Sequence, residues 1–306
     1  MDQQLVVFVT VAEEKNFTRA AERLHISQPG ISQHIANLEQ QLQVKLLDRN
    51  NKYVRLNRAG EVVYHHAKEI LRIYDEMHRL LDDLKGSAHG PLNIGASFTF
   101  GEYVLPHLIA KFYDRYPKIT PTIVIENTQM VITKVASGEL DIGVIEGATI
   151  HDATVEVEPL ADDNVVVVAS TQHRLANRSV VTANDMSDEH WIVREHGSGT
   201  REVTDYLFRE YQIQPKSMVE YDSTQVIKES VEAGLGITLL SRWAVRRELK
   251  WQTLRELEFA GSPLHRQFSI AVRKSDFMTK TTVLFREFLR EQSPRISTLD
   301  LGGISV

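Results

Sequence analysis

The chain has 306 residues, 42% of them apolar and 25% charged, which is soluble globular composition with room for more than one domain. It contains no cysteine, so disulfides, thiolate metal sites and cysteine nucleophiles are excluded. The formal charge of −6 gives no global sign of a nucleic-acid partner, so any such signal must be local.

The first element is a helix with a core stripe of Leu5, Phe8, Val9 and Ala12. Phe17 to Leu42 then reads as two short amphipathic helices joined by a polar turn. Ala20, Ala21 and Leu24 form the stripe of the first, and small alanines let helices approach closely. Ile31, Ile35, Leu38 and Leu42 form that of the second, at helical spacing. Thr18 is placed to cap the first helix, and Ser27 the second, with Pro29 in its opening turn. This is the pattern of a helix-turn-helix, whose second helix enters a major groove. Gln28, Ser32, Gln33, His34 and Asn37 face out and offer donors and acceptors to base edges or phosphates. An ordinary helical hairpin with a solvated polar face would show the same periodicity.

Asp48 to Arg58 resembles a β-hairpin wing with basic tips at Arg49, Lys52 and Arg55. Residues 17–58 carry seven Lys or Arg against three acids. The first 60 residues net +2 and the rest −8, a basic head on an acidic body that fits DNA contact.

The order of helix, helix-turn-helix with Ser27-Gln28-Pro29 and Ser32, then Leu38-Glu39, Leu46-Leu47, Arg49 and Ala59-Gly60, resembles the DNA-binding domain of LysR-type transcriptional regulators. Three positions depart from that pattern. Gly30 stands where Ala is common, Gln33 where Arg is frequent, and Asn57-Arg58 where Thr precedes a Pro or acidic residue. The resemblance implies an α/β fold with an all-α-type head: a winged helix-turn-helix, a long linker helix and a two-lobed α/β effector-binding domain.

After Gly60, Val63, Ala67, Ile70, Tyr74, Met77, Leu81 and Leu84 step alternately by four and three, an unbroken a/d register without Gly or Pro. A dimeric coiled-coil seam explains it better than packing within one chain. Gly86 to Pro91 is a small-residue hinge. From Leu92 strands and helices alternate, and the order repeats: Thr128-Gln129 and Thr224-Gln225 lie 96 residues apart, as do Gly138 and Gly234. Asp152 to Ser170 would cross between two lobes, and Phe268 to Val272 with Thr281 to Leu289 would return to the first. The boundaries expected are a DNA-binding domain over 1–58, a linker helix over 59–86, a hinge at 87–91 and an effector domain over 92–306. Within that domain, lobe I takes 92–161 and 268–292, and lobe II takes 162–267.

Two hydroxyl-rich loops stand at matching helix starts, Gly95 to Gly101 and His196 to Arg201. They mark an anionic effector site made by Ser97, Phe98, Thr99, Gly197, Ser198, Thr200 and Arg201, joined by Asn127, Thr128, Gln129 and Thr224 from the equivalent loops. Resemblance within the family points to the branch that senses inorganic oxyanions or phosphorylated and carboxylated metabolites, as in sulfur assimilation or carbon fixation. Catalytic readings are weaker. Gly197-Ser198-Gly199 lacks the glycine a nucleophile elbow needs two before its serine. Gly234-Leu235-Gly236 lies at a helix-to-strand turn, the reverse of a dinucleotide loop.

The twelve histidines show no metal-ligand spacing with a carboxylate, so neither a metal nor a cofactor is expected beyond the small effector. The sequence start lacks a basic segment followed by an apolar run, and no stretch reaches about 18 uncharged apolar residues, so a cytoplasmic protein is expected. The reading is a non-enzymatic regulator that binds promoter DNA as a homodimer or homotetramer, with RNA polymerase as a further partner. The rival is a small-molecule-binding protein or enzyme whose N-terminal helices serve self-association.

Overall fold

The computed structural model describes residues 2–49, 53–84, 88–147, 152–260 and 264–298. Two compact units divide at Gly86 and Ser87. The first opens with α1 (Asp2–Glu14), α2 (Phe17–Leu24) and α3 (Gln28–Leu42). A two-stranded antiparallel wing follows, β1 (Leu47–Arg49) and β2 (Val54–Leu56), and then the long α4 (Arg58–Asp83). Phe8, Ala20, Ile31, Ile35, Leu38 and Leu46 form its core. Asn16, not Thr18, caps α2: its Oδ1 accepts the Thr18 and Arg19 N–H groups at 2.8 and 3.0 Å. Asn16 stands just outside the first helical residue, where a side-chain oxygen reaches the second and third amides, whereas Thr18 is itself the second residue and supplies one of those amides. Ser27 caps α3 through the Gly30 N–H, and Asn57 caps α4 through the Gly60 N–H.

Glu39 fastens the wing to the helices. It is buried, accepts the Leu46 N–H at 2.9 Å and pairs with Lys45 at 2.7 Å. Burial works to lift its carboxyl, but Lys45 and the Leu46 amide hold it below the ordinary range. Gly60 has to be glycine, since a Cβ there would stand 2.0 Å from the Leu46 carbonyl oxygen.

The heptad of α4 divides by environment. Ala67 is 1% exposed and, with partly buried Val63, packs into the head core. Ile70, Tyr74, Met77, Leu81 and Leu84 are exposed. The start of the expected hinge, Gly86 and Ser87, lies outside the described residues.

The second unit runs β3 (Gly90–Ala96), a π-turn over Phe100–Val104, α5 (Leu105–Arg115), β4 (Ile119–Ile125), α6 (Thr128–Ser137) and β5 (Ile142–Glu146). It continues through β6 (Val155–Ser170), α7 (Ala183–Ser187), β7 (His190–Arg194), α8 (Gly199–Glu210), β8 (Ser217–Tyr221) and α9 (Thr224–Glu232). It closes with β9 (Thr238–Ser241), α10 (Arg242–Trp251), β10 (Leu254–Glu256), β11 (Leu264–Arg273) and α11 (Lys280–Ser297). One mixed sheet takes the order β10-β6-β11-β5-β3-β4 with β9 also on β6, while β7 and β8 form a separate parallel pair.

The domain has two lobes, and β6 and β11 belong to both. β6 is a single strand of 16 residues where a crossover between lobes is expected. Its first half pairs with β11 and its second half with β9 and β10. β11 pairs with β5 over Phe268–Ala271 and with β6 over its whole length, shifting register at Phe268/Ser269. The apolar run of β6 sends Val165, Val167 and Ala169 to one core and Val166 and Val168 to another, as alternation on a strand covered on both faces requires. In the first lobe Leu92, Ile94, Ile142 and Val144 pack against Phe112, Phe285 and Phe288. Arg286 holds α11 to β6 through Glu158 at 2.8 Å, keeping that carboxyl down at about 2.

Candidate functional site

β3 and β5 are adjacent parallel strands, and their carboxyl ends meet a ring of helix starts. In such sheets ligands collect at this edge. The final residue of β5 is Glu146, 1% exposed and ionised among donors. Its carboxylate takes Arg266 Nη1 at 2.7 Å, the Phe100 N–H at 3.2 Å and the Thr200 hydroxyl at 3.5 Å. Close by, the Ser97 hydroxyl donates to the Val144 carbonyl at 3.4 Å, and Ser97 and Thr99 both help to hold the Glu146 carboxyl down. The Glu146 carbonyl oxygen accepts the Thr128 hydroxyl at 2.9 Å. Three of the hydroxyls marked in the sequence, from both lobes, therefore meet on one ion pair: Thr128 and Thr200 on Glu146, and Thr99 on Arg266.

Arg266, from β11, binds the opposite side. Its Nε lies 2.7 Å from Asp163, and its two terminal nitrogens donate to Thr200 and Thr99 at 2.9 and 3.1 Å. Asp163 also accepts the Ser241 hydroxyl at 2.6 Å. Arg266 is thus clamped between two buried carboxylates that respond differently. Burial works to lift Glu146, but Arg266 with the Ser97 hydroxyl, Arg194 and the Thr99 hydroxyl holds it below the ordinary range. Burial leaves Asp163 above it, with Arg266 only partly opposing.

A second cation borders the same space. Arg194 ends β7, lies over the Phe98 ring at 4.4 Å and donates to Thr224 Oγ1 at 3.2 Å. Glu195 pairs with it at 2.7 and 2.9 Å. Nearby, burial pushes the Glu102 and Glu202 carboxyls upward. The two lobes also share a main-chain bond here, from the Gln129 N–H to the Gly197 carbonyl at 3.2 Å. Gly197 has φ +87°, and a Cβ on it would meet Gln129 Oε1 at 2.9 Å. Asn127 caps α6 through the Met130 N–H, and Ser198 lies buried at the start of α8.

Arg201 is the exception among the expected residues. It reaches Asp205 at 2.9 Å, Glu220 at 2.6 Å and the Arg194 carbonyl at 2.9 Å. It fastens α8 to β7 and β8 and spends its donors there, so the fixed charges at the convergence point come from Arg266 and Arg194. Sequence reasoning missed Glu146, Asp163, Arg194 and Arg266. The available signal was a charge closing or interrupting a buried apolar strand, as in Ile142-Gly143-Val144-Ile145-Glu146 and Trp191-Ile192-Val193-Arg194.

In the head, Gln28, Gln33 and Arg55 are exposed on α3 and the wing, with Ser32, His34 and Asn37 partly so. Gln28 Nε2 donates to Ser32 Oγ at 3.4 Å and Gln33 Nε2 to Asn37 Oδ1 at 2.8 Å. Arg55 stacks on Tyr53 with its guanidinium 5.0 Å from the ring centre, and pairs with Asp48 at 3.4 Å. Lys52 and the Arg49 side chain lie outside the described residues. On α4, His65, His66 and Glu69 bring ligand atoms within 4.8 Å, a histidine–carboxylate grouping the sequence reading had discounted. Among the described residues no helix is long and apolar enough to cross a membrane.

The model of the LysR substrate binding domain matches residues 85–294. That of the bacterial regulatory helix-turn-helix protein, lysR family, matches residues 3–61. The HTH-type transcriptional regulator CysL of Bacillus subtilis (strain 168) is 37% identical over 292 residues, covering 90% of this chain and 97% of its own. The RuBisCO operon transcriptional regulator of Allochromatium vinosum is 31% identical over 294 residues, covering 96% and 97%. Among solved structures, the Synechocystis PCC6803 CcmR regulatory domain in complex with 2-PG superposes with TM-score 0.63 at 25% identity, covering 67% of this chain and 98% of that one.

Removing the central cation should unfold the second unit first. Arg266→Ala leaves Glu146 and Asp163 buried without their partner, a change that costs about 3–5 kcal/mol. All three tryptophans, Trp191, Trp243 and Trp251, lie in that unit, so urea unfolding followed by tryptophan fluorescence reads it separately from the head. A loss below about 1 kcal/mol would mean the carboxylates find other partners.

Proposed function

The chain belongs to the LysR family of transcriptional regulators, and we propose that it reads promoter DNA with α3 and is switched by a small anion held between its lobes. It is a DNA-binding regulator and not an enzyme. The observation that carries the effector reading is the convergence of Thr99, Thr128 and Thr200, drawn from both lobes, on the buried Glu146–Arg266 pair. A ligand that engages both lobes changes their closure, and closure is the variable a regulator can pass to DNA-binding heads. The effector class is an inorganic oxyanion or a phosphorylated or carboxylated metabolite. The similarity to the regulatory domain bound to 2-PG supports that class. Arg266 and Arg194 supply the charge, Phe98, Thr224, Asn127, Gln129, Gly197 and Ser198 border the ligand, and Arg201 stiffens the wall behind it.

At the DNA, Thr18, Ser27, Gln28, Pro29, Ser32, Gln33, His34 and Asn37 approach from α2 and α3, and Arg49, Lys52 and Arg55 from the wing. The exposed half of the α4 heptad joins two copies in a cytoplasmic homodimer, which pairs again into a tetramer. RNA polymerase is the partner through which the bound regulator acts.

DNA affinity should fall steeply with salt. For a dimer neutralising about six to ten phosphates, log K against log[salt] has a slope of roughly −5 to −9. Arg55→Ala should weaken all sequences alike, and Gln28→Ala should relax discrimination by ~1–3 kcal/mol at one base position. Fluorescence anisotropy on cognate and scrambled duplexes checks both, and a flat salt response would remove the DNA assignment.

Leu81→Asp places a charge on the exposed seam. Sedimentation should then show a smaller species, and affinity should drop more for a two-half-site operator than for a single half-site. An unchanged oligomer would move the dimer contact elsewhere.

Inorganic sulfate, inorganic phosphate and 2-PG form a first ligand panel. An anion at a hundred times its dissociation constant should stabilise the protein by ~2.7 kcal/mol, read as a raised melting temperature. Ser97→Ala should weaken that response. A ligand that binds equally well to this variant lies outside the cleft.

A further inference from the structure

The anion cradle described above is already filled, by the chain itself. We propose that Glu146 is a built-in competitor for the effector: its carboxylate holds the oxyanion place, and an incoming anion binds by displacing it from Arg266 and the surrounding hydroxyls. The inference rests on reading the cleft as the effector site.

Donor inventory is the first support. A carboxylate offers about four lone-pair sites. Glu146 meets Arg266 Nη1, the Phe100 N–H and the Thr200 hydroxyl, with the Thr99 hydroxyl on the same guanidinium. These are groups that an anion between the lobes would use, and the carboxylate already holds them. Charge balance is the second support. Arg266 is matched by Glu146 and Asp163, and Arg194 by Glu195. An anion added to this arrangement would be a surplus negative charge in a desolvated space, which is costly.

The residue is built so that only its side chain has to move. The Glu146 carbonyl is held by the Thr128 hydroxyl and lies against Gly199, where a Cβ would come within 2.2 Å of the carbonyl oxygen. The backbone is therefore pinned while the carboxylate swings. Arg266 keeps Asp163 at 2.7 Å through its Nε, so it never faces the exchange without a partner. One carboxylate leaves as the effector enters, so a dianion raises the buried negative charge by one, where it would raise it by two if Glu146 stayed.

Displacement also selects the ligand. A successful effector must outbid a tethered carboxylate that already sits in place. A dianion with three or more oxygens does this and a simple monocarboxylate does not, because tethering gives Glu146 a high effective concentration.

Full-length protein, with Glu146→Ala and Glu146→Gln beside it, tests the proposal by calorimetric titration with inorganic phosphate and by melting in acetate. Phosphate should bind both variants at least tenfold more tightly than it binds the unaltered protein. Acetate should raise the melting temperature of Glu146→Ala, filling the vacated place, and leave the unaltered protein unmoved. If Glu146→Ala does not fold, the phosphate titration of the isosteric Glu146→Gln decides alone. Equal phosphate affinity in all three proteins, or weaker binding in the variants, overturns the proposal. If neither variant binds phosphate while sulfate or 2-PG still stabilises the unaltered protein, the competitor falls and the cleft reading stands. If no anion of the panel binds any of the three, both fall.

Discussion

A guanidinium with 2% of its side chain exposed has to be neutralised where it lies, and Arg266 is neutralised by two carboxylates from two other strands. That requirement fixes how β5, β6 and β11 meet at the carboxyl edge of the sheet. Glu146 is brought to Arg266 by the pairing of β5 with β11, and Asp163 by the pairing of β6 with β11. The hydroxyls of Thr99 and Thr200 then bridge the cation to loops in both lobes. The hydroxyl-lined edge of the sheet is in this sense the surface of a buried ion cluster. The unequal response of the two acids fits it, since Glu146 has hydroxyls and Arg194 around it while Asp163 relies on Arg266 and Ser241.

What was legible in the sequence was what local periodicity and local chemistry control. The helix-turn-helix, the wing, the long linker and the αβ alternation follow from spacing and turn residues, and the elements lie within a few residues of the patterns that announce them. The hydroxyl loops were visible because helix starts draw Ser and Thr. Their common target was not visible. Glu146, Asp163 and Arg266 are brought together by strand pairing, with Asp163 and Arg266 lying 103 residues apart in the chain. No short-range pattern encodes that distance. Arg201 shows the opposite error. It sits in a conspicuous motif, and its role was inferred from that motif, but its donors are taken by Asp205 and Glu220, partners that only the packing of α8 on β8 reveals. The cap of α2 is a smaller case of the same kind, since Asn16 and Thr18 are both competent and only geometry chooses between them.

The π-turn over Phe100–Val104 ties the ion cluster to the apolar interior. It places the Phe100 N–H on Glu146 and the Phe100 ring edge-on to Phe268 at 5.2 Å, so one residue links the ion cluster to the hydrophobic core. π-turns gather at functional sites because the extra residue re-aims the backbone.

The burial of Ala67 in the head core has a mechanical meaning. Because Val63, Tyr64, Ala67 and Leu71 pack on the helices of the head, α4 cannot roll about its axis without carrying α3 with it. α4 and α3 move as one rigid crank. At 1.5 Å per residue the 26 residues of α4 make an arm of about 39 Å. A tilt of only about 5° at its far end displaces the head by about 3.4 Å, the rise of one base pair. The reach of the head about the far end of α4 is therefore set by the length of a single helix.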